Sequence, residues 1–217
     1  MANTFNLDHI DVLVHSCIRI QSEAGTVIYF DPFKVDTEPH DADYVLVTHA
    51  HYDHFSPEDI ARVAKDATEL VVPATMEDEA PKAACAAVHL MRAGERIELA
   101  DISVEAVPAY NVEPERLGFH PHDNAWIGYI VTVDGTRIYV AGDTDPNPDT
   151  LQVSCDIALI PIGGTYTMDP HQAAGFINTI QPRIVIPTHY GSIVGSMDDP
   201  HAFAELVNPD IEVVLKL

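Results

Sequence analysis

Between Ile10 and Val47 the apolar positions fall into four short runs, Ile10–Val14, Cys17–Gln21, Val27–Phe30 and Tyr44–Val47, each the length of a strand and bounded by polar residues. Ser56-Pro57-Glu58-Asp59 then combines a capping hydroxyl, a proline at the first helical position and first-turn acids, which predicts a helix through about Lys65. Leu70–Pro73 reads as a buried strand, Met76–Val88 as an alanine-rich helix, and Arg96–Leu99 with Ile102–Pro108 as a hairpin. The stretch Tyr110–Asn124 has no period, and an irregular segment of that length is more often functional than ornamental. Strands resume at Trp126–Val133, Arg137–Ala141, Ile157–Pro161 and Ile184–Pro187. A helix over Pro170–Thr179, capped by Asp169 or Thr167, precedes the last of these. Pro200–Val207 reads as a short helix and Ile211–Leu217 as an edge or closing strand.

The pattern repeats. Gly25-Thr26-Val27-Ile28-Tyr29-Phe30 leads to Asp31, and Gly135-Thr136-Arg137-Ile138-Tyr139-Val140 leads to Asp143. After similar gaps come Asp43-Tyr44-Val45-Leu46 and Asp156-Ile157-Ala158-Leu159. Two related halves packed face to face account for this echo; chance likeness between hairpins is the competing account.

Composition narrows the picture. The 217 residues suit one layered α/β domain, and 47% hydrophobic content argues against disorder. The formal charge of −23 repels a phosphate backbone, so nucleic acid is a poor first partner. The same excess of acid suggests a surface adapted to concentrated salt. Cys17, Cys85 and Cys155 are widely spaced and odd in number, which favours a reducing cytoplasm. Met1–Asp11 lacks the pattern of an export leader and no apolar run is long enough to span a bilayer, so no membrane association is expected.

Candidate chemistry concentrates in Thr48-His49-Ala50-His51-Tyr52-Asp53-His54, directly after an apolar strand. His49 and His51, two apart on extended chain, can point to one side while Asp53 and His54 turn toward a second point. Imidazole nitrogen and carboxylate oxygen suit Zn²⁺ or a neighbouring first-row ion. Asp143, in Gly142-Asp143-Thr144-Asp145, could bridge two cations, with Gly142 allowing close backbone approach; Asp145 could be only a turn residue before Pro146, and Asp143 taken alone could be one too. His189, in Pro187-Thr188-His189-Tyr190-Gly191, ends another buried strand. Three strand ends that each carry a ligand type agree with where open α/β folds place their sites.

With these residues in view, the chain resembles the metallo-β-lactamase superfamily, whose His-x-His-x-Asp-His signature is met by His49, His51, Asp53 and His54. Gly-Asp-Thr around Asp143 and Thr-His-Tyr-Gly around His189 match later motifs in the expected order. His15-Ser16-Cys17, Phe30-Asp31-Pro32-Phe33 and Pro161-Ile162-Gly163-Gly164-Thr165-Tyr166-Thr167-Met168 look like the branch of small metal-dependent hydrolases related to ascorbate-6-phosphate lactonase. The resemblance implies a four-layer αββα sandwich of two similar halves and two divalent metal ions, zinc first, with manganese, nickel and iron as alternatives. It also implies a hydroxide shared by the ions that attacks a small ester, lactone or phosphodiester, oriented by Asp53. One departure stands out: where many relatives carry Pro-Ala-x-His, this chain has Pro108-Ala109-Tyr110-Asn111. Asn111 substitutes poorly for imidazole, which leaves His120, His122 or an incomplete first site. By the resemblance one metal takes His49, His51 and His120, the other takes Asp53, His54 and His189, and Asp143 bridges.

His171, at the start of the Pro170 helix, is a candidate proton donor to the leaving group or anion contact, and equally a surface residue. His15 is a candidate partner to the ligands; Tyr166 and Tyr190 are candidates to line the pocket. The expected partner is a small-molecule substrate, with a homo-oligomer left open. A nuclease, a di-iron redox protein and a non-catalytic metal-binding protein are the competing classes.

Overall fold

The computed structural model describes residues 5–217, so the leader-free reading of Met1–Asp11 lies partly outside the described residues. β1 (Ile10–Val14), β2 (Cys17–Gln21) and β3 (Val27–Phe30) run antiparallel to one another; β4 (Ala42–Leu46), β5 (Ala64–Pro73) and β6 (Ala87–Met91) then add in parallel. The second sheet repeats the plan. β7 (Arg96–Leu99), β8 (Ile102–Pro108), β9 (Ile127–Val133) and β10 (Thr136–Val140) are antiparallel, and β11 (Ile157–Pro161), β12 (Ile184–Thr188) and β13 (Glu212–Val213) are parallel. In each sheet neighbours in space are neighbours in sequence.

The sequence echo therefore extends to topology: β3 and β10 each pair antiparallel with the strand before and parallel with the strand after. Both faces of these strands are buried, which is why they read as continuous apolar runs. Ile28 and Phe30 point into the core between the sheets, while Val27 and Tyr29 point outward. The sheets meet through residues such as Leu46, Val71, Tyr129, Val131, Leu159 and Ile186. α1 (Pro57–Val63) buries Ile60 and Val63 on the outer face of the first sheet. α2 (Pro170–Ile180) and α3 (Asp199–Leu206) bury Phe176, Ile177 and Phe203 on that of the second. The layers are helix, sheet, sheet, helix: the αββα sandwich.

Ser56 caps α1 by accepting from the Asp59 N–H, but the helix ends at Val63 because Ala64 turns extended and pairs with Ala42. Asp169, not Thr167, caps α2, in a reciprocal box with Gln172. The expected helix over Met76–Val88 does not form. Pro81 cannot donate to a continuing helix and Ala84 has a left-handed backbone, so the segment makes two short 3-10 turns, Ala74–Met76 and Ala80–Ala83. Ala87–Met91 then pairs in parallel with β5. At the tail only Glu212–Val213 joins the sheet of the expected Ile211–Leu217.

Hairpin turns clamp the sheets at one end of the sandwich, where Ser22 and Thr26 hydroxyls donate to Asp101 at 2.8 and 2.6 Å and the Glu23 N–H donates to Asp134 at 2.9 Å. The opposite end, beyond the last residues of β4, β10 and β12, holds the histidine cluster. The three cysteines are free, and no helix among the described residues is long and apolar enough to cross a membrane.

Candidate metal centre

β4 delivers Thr48 next to Asp31, which ends β3. The Thr48 N–H and hydroxyl both donate to the Asp31 carboxylate, at 2.8 and 2.7 Å. With its one hydrogen committed, Thr48 Oγ1 can only accept from His49 Nδ1, 3.0 Å away. This fixes the His49 tautomer with Nε2 as an acceptor, which faces His51 Nδ1 at 3.0 Å. His54 Nδ1 donates to the same carboxylate at 2.7 Å. His120 is held in like manner: Asn111 Oδ1 accepts both its backbone N–H (3.1 Å) and its Nδ1–H (2.8 Å), while Asn111 Nδ2 donates to the Tyr166 carbonyl. Three imidazoles are thus oriented through Nδ1 and present Nε2, the arrangement by which polar neighbours aim metal ligands.

The presented atoms converge. His49, His51 and His120 form one group, and His15, Asp53, His54 and His189 another; within each the ligand atoms lie within 4.8 Å of one another. Asp143 lies between them, Oδ2 at 3.2 Å from His120 Nε2 and 3.1 Å from His189 Nε2, Oδ1 at 3.5 Å from His54 Nε2. Nε2 of His54, His120 and His189 and Oδ1 of Asp143 are buried with no hydrogen-bond partner. Leaving such atoms unsatisfied costs about 1–3 kcal/mol each, so a group that binds them is expected, and lone pairs converging beside a carboxylate call for cations.

Without a cation, protons balance the buried carboxylates: burial lowers His54, but Asp143 and Asp31 outweigh it and hold its imidazole well above its ordinary value, a charge that a metal ion would replace. Burial, reinforced by the neighbouring His54, holds His49 well below its ordinary value, so it is neutral and ready to coordinate. Burial alone would raise the Asp143 carboxyl, but His189, His54 and His120 outweigh it and hold it far below the usual carboxylate range. Burial raises Asp53 too; the hydrogen bond from His15 and the nearby His54 overcome that.

Two left-handed backbones meet here. His15 (φ 56°) lies in the β1–β2 turn and His189 (φ 58°) follows β12; the His189 N–H donates to the His15 carbonyl at 2.9 Å and their rings lie 3.8 Å apart. Such conformations are costly away from glycine and cluster at functional sites. His15 Nε2 faces Asp53 Oδ2 at 3.2 Å. Gly163 permits the approach to His189, because a Cβ there would collide with the His189 carbonyl oxygen. Gly142, at φ 64°, places the turn before Asp143 where a Cβ would stand 3.0 Å from that of Thr48.

Of the residues singled out from sequence, His49, His51, Asp53, His54, His120, Asp143 and His189 come together. His120, 1% exposed, takes the place left open at Asn111; His122 has a side chain 70% exposed and packs on Tyr110. His171 is exposed in the first turn of α2 and lines no part of the cavity over the cluster. Asp145 anchors the Tyr110–Asn124 segment by accepting from the Val112 and Glu113 N–H groups and pairing with buried Arg116 at 2.9 Å. Tyr166 lines the cavity. The positioning roles of Asp31 and Asn111 escaped the sequence reading, although the echo placed Asp31 at the position of Asp143.

Comparison with known proteins agrees with this geometry. A family model described as a beta-lactamase superfamily domain matches residues 9–189. A UPF0173 metal-dependent hydrolase of Thermococcus kodakarensis is 34% identical over 221 residues, covering 95% of each chain, and one of Enterococcus faecalis is 31% identical over 89% of this chain and 91% of its own. Among solved structures, a Parabacteroides distasonis protein described as a metal-dependent hydrolase shares 31% identity at a TM-score of 0.79, with 96% of this chain and 92% of that one covered. At 23% identity, a metallo hydrolase of Ignicoccus hospitalis supports the fold, with a TM-score of 0.77 over 95% and 93% of the two chains. On its fold, its ligand geometry and these likenesses, the chain belongs to the metallo-β-lactamase superfamily, in the family of UPF0173 metal-dependent hydrolases.

Proposed function

We propose that the chain is a dinuclear hydrolase acting on a small ester, lactone or phosphodiester. The observation that carries the reading is the set of buried ligand atoms on His54, His120, His189 and Asp143 that have no hydrogen-bond partner among the described residues. His49, His51 and His120 would hold one ion, Asp53, His54 and His189 the other, and Asp143 both. Zinc suits this mixture of imidazole and carboxylate; manganese, nickel and iron accept the same donors. Ions held by these residues would lower the pKa of a bound water and polarise the bond under attack.

The chain's own groups supply the rest. Asp53 lines the cavity with its carboxylate held by His15, a placement suited to orienting the attacking water and taking up its proton. The cavity, about 280 Å³, limits the substrate to a small molecule or one end of a larger one. Among the described residues no Lys or Arg lines it, and with the −23 charge this disfavours a nuclease.

Elemental analysis of the purified protein beside His51→Ala is expected to give two metals per chain in the parent and a loss in the variant. Fewer than one metal per chain with no loss would refute the metal assignment. Asp53→Ala is expected to lower turnover of a generic ester by 10²-fold or more; unchanged turnover would remove Asp53 from the chemistry.

A further inference from the structure

The wall of the cavity is of two kinds. His51, Asp53, His120 and Asp143 form the ligand side, and Tyr52, Phe119, Tyr166 and Ile193 form the remainder. The aromatic side is braced: Phe119 and Tyr166 meet edge to face with centroids 4.8 Å apart, and Tyr52 rests on Phe33 at 6.0 Å. Yet Tyr52 is 68% and Phe119 39% exposed, so apolar surface stands in water at the mouth of the site. Covering it with an apolar ligand group is favourable, whereas a solvated charged group gains nothing there.

Among the described residues, no Lys or Arg lines the cavity where an anionic substrate would need one. Arg116, on the same segment as Phe119, is buried and committed to Asp145, the Thr167 carbonyl and Gln172. Lys34 lies over the Phe33 ring with Nζ 3.3 Å from Ser192 Oγ, outside the lining. A phosphate or carboxylate away from the scissile bond would find no Lys or Arg among the described residues that line the cavity, in a chain of −23.

We propose that the site selects uncharged carboxylic esters and lactones bearing an apolar group of about aryl size, with Phe119 and Tyr166 as the selecting residues. This rests on the hydrolase reading of the same site. The reaction consumes one water: the acyl–oxygen bond of the ester breaks and one to the water oxygen forms. One water proton leaves with the alcohol and the other is released from the acid.

The test uses the metal-loaded protein with methyl esters that differ only in acyl group, namely acetate, phenylacetate and hemisuccinate, followed by acid release in a pH-stat, together with bis(p-nitrophenyl) phosphate. The expected kcat/KM is at least 10-fold higher for phenylacetate than for acetate, and lower than acetate for hemisuccinate and the phosphate diester. Phe119→Ala and Tyr166→Leu should bring the phenylacetate-to-acetate ratio toward one while metal content stays at the parent level. Independently of turnover, calorimetry with phenylacetamide should show binding weakened at least 5-fold by Phe119→Ala, and succinamate should bind more weakly than phenylacetamide. Preference for hemisuccinate or the phosphate diester overturns the proposal, most directly if Lys34→Gln abolishes that preference. So does phenylacetamide binding that ignores Phe119→Ala. Failure to turn over any ester refutes the hydrolase reading itself; phenylacetamide still held through Phe119 would then uphold the apolar selectivity of the pocket.

Discussion

Asn111 stands where the resemblance places a histidine, and it positions His120, the residue proposed to take that ligand's place. Its carbonyl oxygen takes two hydrogen bonds from His120, and its amide is tied to the Tyr166 carbonyl, so its orientation is unambiguous. Asn111→Ala is expected to leave the fold intact and weaken metal binding about 10- to 100-fold, measured by competition with a chelator, because His120 loses the group that sets its tautomer and direction. Asn111→Asp, which keeps an acceptor, should recover most of the loss. The His-x-His-x-Asp-His run was legible because its spacing is local. Asp31 was not, since its role depends on Thr48 and His54, 17 and 23 positions away, arriving at its carboxylate.

Among elements, α2 illustrates a local signal that held. Asp169 and Gln172 exchange hydrogen bonds across the first turn, and Pro170 occupies the first helical position. Asp169→Ala is expected to cost about 1 kcal/mol, read as a lower urea midpoint at unchanged slope. The segment Met76–Val88 illustrates the reverse, because alanine content favoured a helix that Pro81 interrupts and strand pairing replaces. Strand-to-strand ion pairs give a pH signature. Arg137, bidentate on Glu105 at 2.7 and 3.3 Å, holds the Glu105 carboxyl below its ordinary 4.5. A depressed folded-state value means stability present above about pH 4.5 and lost as pH falls through the lower value. Glu105→Gln should therefore be less stable than the parent at pH 7, on the order of 0.5 kcal/mol for so exposed a pair, and the difference should vanish once the pH falls below the lowered value.

For the whole molecule the charge of −23 divides into two populations. Among the described residues Asp31, Asp53, Asp143 and Asp145 are buried, each facing histidine or arginine. The other acids lie on or near the surface and repel one another. Raising KCl from low to molar concentration is expected to raise the melting temperature through screening; a flat profile would show that the surface needs no salt.

The amino-acid sequence by itself determined the strands whose two faces are both apolar, the helix starts with proline and a capping side chain, the two-fold echo, and the ligands that lie within one short run. These are properties of neighbouring residues, and local sterics and periodicity suffice to read them. The tertiary structure alone decided that His120 rather than His122 joins the cluster, that Asp31 and Asn111 aim the imidazoles, and that an aromatic wall without cations faces Asp53. Each of those depends on which side chains packing brings within hydrogen-bond or van der Waals reach across tens of residues, and no local pattern encodes that distance.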